Sequence, residues 1–274
     1  SQSRGLGDVY KRQDMVCYQE EVRDPSRMAE VLNRVIEKAF RGSAPAQINV
    51  PRDYWTQVID IELPPIVRFE RQGGGKEAIE NAAKLLSKAK FPVILSGAGV
   101  VLGGAIDECK KLAEKLDAPV CNGYQHNDSF PGSHPLAVGP LGYNGSKAAM
   151  ELISKADVVL ALGTRLNPFS TLPGYGIDYW PKKATIIQVD MNPDRIGLTK
   201  KVSVGICGDA KQVAQQILDK LSSDAGNTGR EERKNLIHKT KSAWLQTLSG
   251  LDHEEDDPGT VWNKEARERD KDRM

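Results

Sequence analysis

The chain has 274 residues, with 38 basic and 37 acidic side chains and a formal net charge of +1. So close a balance gives no electrostatic case for nucleic acid, and no run of about 18 apolar residues is present to span a membrane. Four widely separated cysteines (Cys17, Cys109, Cys121, Cys207) with no C-x-x-C spacing read as reduced, mostly buried thiols of a cytoplasmic protein, and give neither a disulfide framework nor a metal site.

In chain order, residues 1–13 do not read as the start of a domain. Asp8-Val9-Tyr10-Lys11-Arg12-Gln13 looks like a translated sequencing adapter. Native sequence is therefore expected to enter near Asp14, and the chain to be a piece of a longer protein. Asp24-Pro25 starts a helix, with aspartate as N-cap and proline in the first helical position. Met28, Val31, Leu32, Val35, Ile36 and Ala39 then recur at helical spacing, and Gly42 closes the element. Ala46-Gln47-Ile48-Asn49-Val50 follows as a short strand ended by Pro51. One helix and one strand cannot make a domain, so residues 14–55 are expected to be the closing part of an α/β domain. Residues 56–74, with Pro64-Pro65 and the Gly73-Gly74-Gly75 run, read as a linker.

From 75 to 222 the pattern changes to alternating helices and buried strands. The expected elements are a helix over 76–89, a strand Pro92-Val93-Ile94-Leu95, a helix near 104–116 and a strand Pro119-Val120-Cys121. After a long loop come a helix from Ser146 to Ser154, strands over 157–162, 184–190 and 202–206, and a helix from Asp209 to Leu221. Continuous apolar strands alternating with helices predict an α/β, Rossmann-like parallel sheet with helices on both faces. Beyond Ser222, a helix is expected from Glu231 to Leu248, then a charged tail from Leu251. Residues 223–274 thus read as a helical or disordered linker toward a further domain.

Several strand ends are candidate sites. Gly97-Ala98-Gly99, between a strand and a helix, can rest a phosphate on backbone N–H groups, or can be a tight turn that needs small residues. Gly103 falls one position too late for G-x-G-x-x-G, and the next strand ends in Cys121-Asn122 without an acidic residue for a ribose hydroxyl. Gly163-Thr164-Arg165 ends another strand, where Arg165 can meet a phosphate or form a salt bridge. Asp190 can accept a hydroxyl hydrogen bond or cap the next helix. His126 and His134 lack metal-ligand spacing, and His134 is expected to make a structural hydrogen bond. Gly208-Asp209-Ala210 lacks the third glycine of a G-D-G magnesium motif, and Asn235 lies in a polar helix, so Asp209 is read as an N-cap. No catalytic residue is assigned. A stand-alone nucleotide-binding module stays open on these features.

Phe130-Pro131-Gly132-Ser133-His134-Pro135-Leu136-Ala137-Val138-Gly139-Pro140-Leu141-Gly142 resembles the F-P-x-x-H-P-L-x-x-G-x-x-G loop of thiamine-diphosphate enzymes of the acetolactate-synthase type. Gly163-Thr164-Arg165, Ile187-Gln188-Val189-Asp190 and Ile206-Cys207-Gly208-Asp209-Ala210 fit the central domain of that family. The stretches Asn122–Asp128 and Leu166–Trp180 are most similar to its acyltransferases that turn sulfoacetaldehyde and phosphate into acetyl phosphate and sulfite. Acetolactate synthases and other carboligases or decarboxylases are the alternative within the family. Asn167-Pro168-Phe169 stands where acetolactate synthases carry an Asp-Asp-Arg-like stretch against FAD, so the resemblance implies no FAD. It does imply thiamine diphosphate and Mg²⁺ in the whole enzyme, held by domains flanking this one, and a homo-oligomer.

Overall fold

The computed structural model describes residues 15–65 and 70–249; the adapter-like stretch 1–13, part of the expected linker and the charged tail from Leu251 lie outside the described residues. The chain divides into two compact units, Ser1–Glu70 and Arg71–Met274.

In the first unit, strands β1 (Tyr18–Glu21) and β2 (Ala46–Asn49) pair in parallel, joined by helix α1 (Met28–Gly42). Asp24 caps as its sequence context predicts: its carboxylate accepts the Ser26 N–H at 2.9 Å, and Pro25 opens a short 3-10 turn that runs into α1. The chain leaves α1 through Ser43, whose φ is 46°, one residue after the glycine expected to close it. Val22, Val31 and Val35 form the small core between helix and strands. β1 has no period to announce it, because Tyr-Gln-Glu-Glu is neither apolar nor alternating; pairing with β2 makes it a strand.

The second unit is a six-stranded parallel sheet made of β3 (Pro92–Ser96), β4 (Val120–Asn122), β5 (Ala137–Pro140), β6 (Val158–Leu162), β7 (Thr185–Asp190) and β8 (Val204–Cys207). The strand order is β5-β4-β3-β6-β7-β8. Side chains alternate between the faces. Ile94, Leu160 and Ile187 join the core under α2 (Lys76–Lys88), α4 (Ile106–Leu116) and α6 (Ala210–Lys220). Val93, Leu95 and Val159 join the opposite core under α5 (Lys147–Ile153) and α7 (Arg230–Ser249). Burial on both faces is why these strands are mainly apolar, with Ser96 and Gln188 among the buried polar exceptions.

Three departures from the sequence expectation have local causes. The helix expected near 104–116 is preceded by a separate turn of helix, α3 (Ala98–Gly103), broken from α4 by Gly104 at φ 63°. β5 lies inside the expected long loop, and its Gly139-Pro140 is tolerated because β5 is an edge strand. Finally, residues 163–184, all described, contain no α-helix between β6 and β7, only a 3-10 turn (Pro168–Ser170) and a bridge between Gly174 and Ile177. Tyr179, 1% exposed, and Ile237 of α7 fill that side of the core instead.

α7 is fixed by Arg233, 1% exposed, whose guanidinium donates to five carbonyls. They belong to Asp117 (2.9 Å), Lys90 (2.6 Å), Thr228 (2.9 Å), Leu116 (2.8 Å) and Gly226 (2.5 Å). The Leu116 and Asp117 carbonyls end α4, where a cation also meets the negative end of the helix dipole. The Asp157 carboxylate grips the same corner, accepting the N–H groups of Lys90 (2.7 Å) and Phe91 (2.9 Å). Among the described residues no helix is long and apolar enough to cross a membrane.

Candidate functional site

The strand order reverses between β3 and β6, and open parallel sheets bind ligands in the crevice beyond the carboxyl ends at such a point. Gly97, Ala98 and Gly99 follow β3, Gly163, Thr164 and Arg165 follow β6, and Asp190 ends β7. The fold therefore brings all the candidate residues to one edge of the sheet.

Close up, that edge is filled by backbone. The Gly99 N–H donates to the Gly163 carbonyl at 2.8 Å, and the Gly97 N–H to the Leu162 carbonyl at 3.1 Å. A Cβ on Gly97 would lie 2.6 Å from Thr164 Cβ, and one on Gly163 would lie 2.7 Å from Gly99 Cα. The Gly97 and Gly99 donors are thus engaged within the protein, and α3 is too short to present a dipole of any length. Asn122 is 5% exposed, and its amide donates to Ser129 Oγ at 3.0 Å and the His126 carbonyl at 3.3 Å. Asp190 accepts the Asn192 N–H at 2.9 Å, while Asn192, not Asp190, caps the next 3-10 turn through the Asp194 N–H. Gln188, 1% exposed, ties the neighbouring loops together: its amide donates to the carbonyls of Thr164 and Arg195 (both 3.1 Å) and accepts the Gly197 N–H at 2.8 Å. Arg165 stands exposed, with no ion pair among the described residues.

The 130–142 loop is held at several points. Phe130 is buried and meets the His134 ring edge-on at 5.1 Å. His134 Nδ1 accepts the Leu136 N–H at 3.2 Å, which leaves Nε2 to donate to Glu114 Oε1 at 3.2 Å. That is the structural hydrogen bond expected of it. Gly142 sits at φ 109°, and a Cβ there would collide with the Phe169 carbonyl, so the motif's last glycine makes room for the 166–180 segment. The same contact brings together a pair that sequence reasoning missed. Tyr124 and Phe169, 37% and 55% exposed, stack with ring centroids 5.7 Å apart on the surface.

The residues present do not fit thiamine diphosphate or its metal. Asp209 is an N-cap, with Oδ1 accepting the N–H groups of Lys211 (3.1 Å) and Gln212 (3.2 Å) and Oδ2 paired to Arg71 at 3.3 Å. No group of three or more His, Cys, Asp or Glu able to hold a metal occurs among the described residues. Cys109 and Cys121 are buried, Cys17 is exposed and Cys207 half-buried, and all four are free thiols. Burial pushes the Cys109 thiol up to about 12, far from a reactive thiolate. This edge orders loops and presents a surface.

Residues 79–217 match the family described as thiamine pyrophosphate enzyme, central domain. The chain is 78% identical over 262 residues to a protein of Rhizobium meliloti named "Probable sulfoacetaldehyde acetyltransferase", covering 96% of this chain and 44% of that protein. It is also 78% identical over 254 residues to a "Sulfoacetaldehyde acetyltransferase" of Roseovarius nubinhibens, covering 93% and 42%. The chain thus spans less than half the length of these relatives. Among solved structures, benzoylformate decarboxylase from Polynucleobacter necessarius aligns with a TM-score of 0.69 at 21% identity, over 82% of this chain and 42% of that one, a likeness of fold.

Proposed function

The chain belongs to the thiamine pyrophosphate enzymes through their central domain, and from that premise we propose that it serves as the scaffold of an acyltransferase converting sulfoacetaldehyde and phosphate to acetyl phosphate and sulfite. Identity of 78% sustained along 96% of the chain is the observation that carries this reading. Thiamine diphosphate and Mg²⁺ belong to the whole enzyme in this proposal, and FAD does not. The cofactor supplies the electron sink for carbon–carbon and carbon–sulfur chemistry when bound. This chain's residues take no covalent part. They hold the sheet, close its carboxyl edge around Gly99 and Gly163, and present Tyr124 and Phe169 on the surface. The proposal includes a homo-oligomer working on small molecules in the cytoplasm.

The test is a chimera in which residues 15–249 replace the matching segment of the Rhizobium meliloti relative. Phosphate-dependent sulfite release from sulfoacetaldehyde is expected, with acetyl phosphate formed in equal amount. A folded chimera that consumes pyruvate and releases no sulfite overturns the proposal. Calorimetry on the chain alone should show no binding of thiamine diphosphate.

A further inference from the structure

Away from the sheet edge, a cleft of about 550 Å³ opens between the end of α4, the turn at His134–Leu136 and one face of α7. That volume suits a small organic ligand. Pro135, Leu136, Ile237 and Leu245 give it apolar walls, and Leu245 is 58% exposed.

The polar groups that face the cleft differ in whether they already have partners. Both carboxylates do. Glu114 Oε1 meets His134 Nε2 at 3.2 Å and Lys110 Nζ at 3.9 Å, and Asp117 pairs with Arg230 and, at 3.9 Å, with Lys234. Lys241 donates to the carbonyls of His134 (3.3 Å) and Pro135 (2.8 Å). The His238 imidazole and the Ser242 hydroxyl, one helical turn apart on α7, have no partner among the described residues. The unengaged groups can therefore donate hydrogen bonds to a ligand, and the ammonium groups of Lys234 and Lys241 stand beside them. Donors and cations above an apolar floor complement an anionic head on an apolar body.

We infer that this cleft binds an amphiphilic organic anion, a carboxylate or sulfonate on a hydrocarbon or aromatic body. The head sits on His238 and Ser242, and the body lies on Leu136, Ile237 and Leu245.

The experiment is a fluorescence titration of the whole chain with anilinonaphthalene sulfonate, competed in turn by decanoate and by decyltrimethylammonium. Saturable binding at one site is expected, displaced by decanoate and not by the cationic amphiphile. His238→Glu and Ser242→Glu should each weaken binding by about tenfold or more, because each sets a like charge against the head. Leu245→Glu should abolish it. All three positions are exposed, so the melting temperature should hold, and any one folded variant suffices. Binding that is unsaturable, indifferent to these substitutions, or displaced equally by both amphiphiles overturns the inference.

Discussion

Gly99 and Gly163 meet backbone to backbone, the amide of the first donating to the carbonyl of the second at 2.8 Å, with no room on either for a Cβ. This contact seals the point where the strand order reverses, the place at which a parallel sheet ordinarily admits a ligand.

Gly163→Ala should therefore cost more than a left-handed backbone alone. Gly163 has φ 61° and its Cβ would lie 2.7 Å from Gly99 Cα, whereas Gly104 has φ 63° and open space around it. Gly104→Ala is expected to lose about 1 kcal/mol from backbone strain, and Gly163→Ala roughly 3 kcal/mol or more from strain and collision together. Urea unfolding of the two variants checks this. Equal losses would mean that the two turns can separate freely.

NAD, FAD and ADP at millimolar concentration should leave the melting temperature of the chain unchanged, because the Gly97 and Gly99 amides at the end of β3 are engaged within the protein. A ligand present at about 100 times its dissociation constant would add about 2.7 kcal/mol and raise the melting temperature visibly. A rise with any of the three would show that the Gly99–Gly163 contact opens.

Much of this fold can be read from residues whose burial leaves a pattern. β6 is a continuous apolar run and β7 carries Ile186, Ile187 and Val189 because both faces of a parallel strand are covered, and Asp209 reads as an N-cap because it precedes a helical period. The candidate edge is legible as a set of strand ends that need small residues. Its closure is not, since a backbone contact between Gly99 and Gly163 leaves no mark on either residue beyond being glycine. The stacking of Tyr124 on Phe169 depends on tertiary placement of two loops. α7 hides its role for another reason. The residue that fixes it is an arginine, and no apolar period can announce a buried cation.

Alkaline pH should destabilise the second unit in a defined window. Burial pushes the Cys109 thiol from 9.0 to about 12, and it pushes up the Cys121 thiol and the Tyr179 phenol as well. Above about pH 9 the unfolded chain releases thiol protons that the folded chain keeps, so stability falls as pH rises toward 12, by about 1.4 kcal/mol per pH unit for each thiol. Below that window these groups are protonated in both states and contribute no slope. Urea midpoints across the range should show the decline, made shallower in Cys109→Ala and Cys121→Ala. A flat profile in the parent chain would mean that the thiols are reached by water.

Arg233 should be the most sensitive position of α7. Five carbonyls from four separate places, the end of α4, Lys90, Gly226 and Thr228, converge on one guanidinium, which no other side chain can match in number of donors or in planar spread. Arg233→Met keeps the volume but leaves those carbonyls buried without a donor, at an expected cost of about 3 to 5 kcal/mol. Arg233→Lys keeps the charge and supplies only three donors from a single point, so it should recover less than half of that loss. Hydrogen exchange distinguishes a local role from a global one. If Arg233 holds the helix in place, the amides of α7 lose protection in Arg233→Lys well before those of β6 and β7. Uniform loss across the sheet would instead make Arg233 part of the core's own stability, with α7 unable to leave unless the sheet unfolds too.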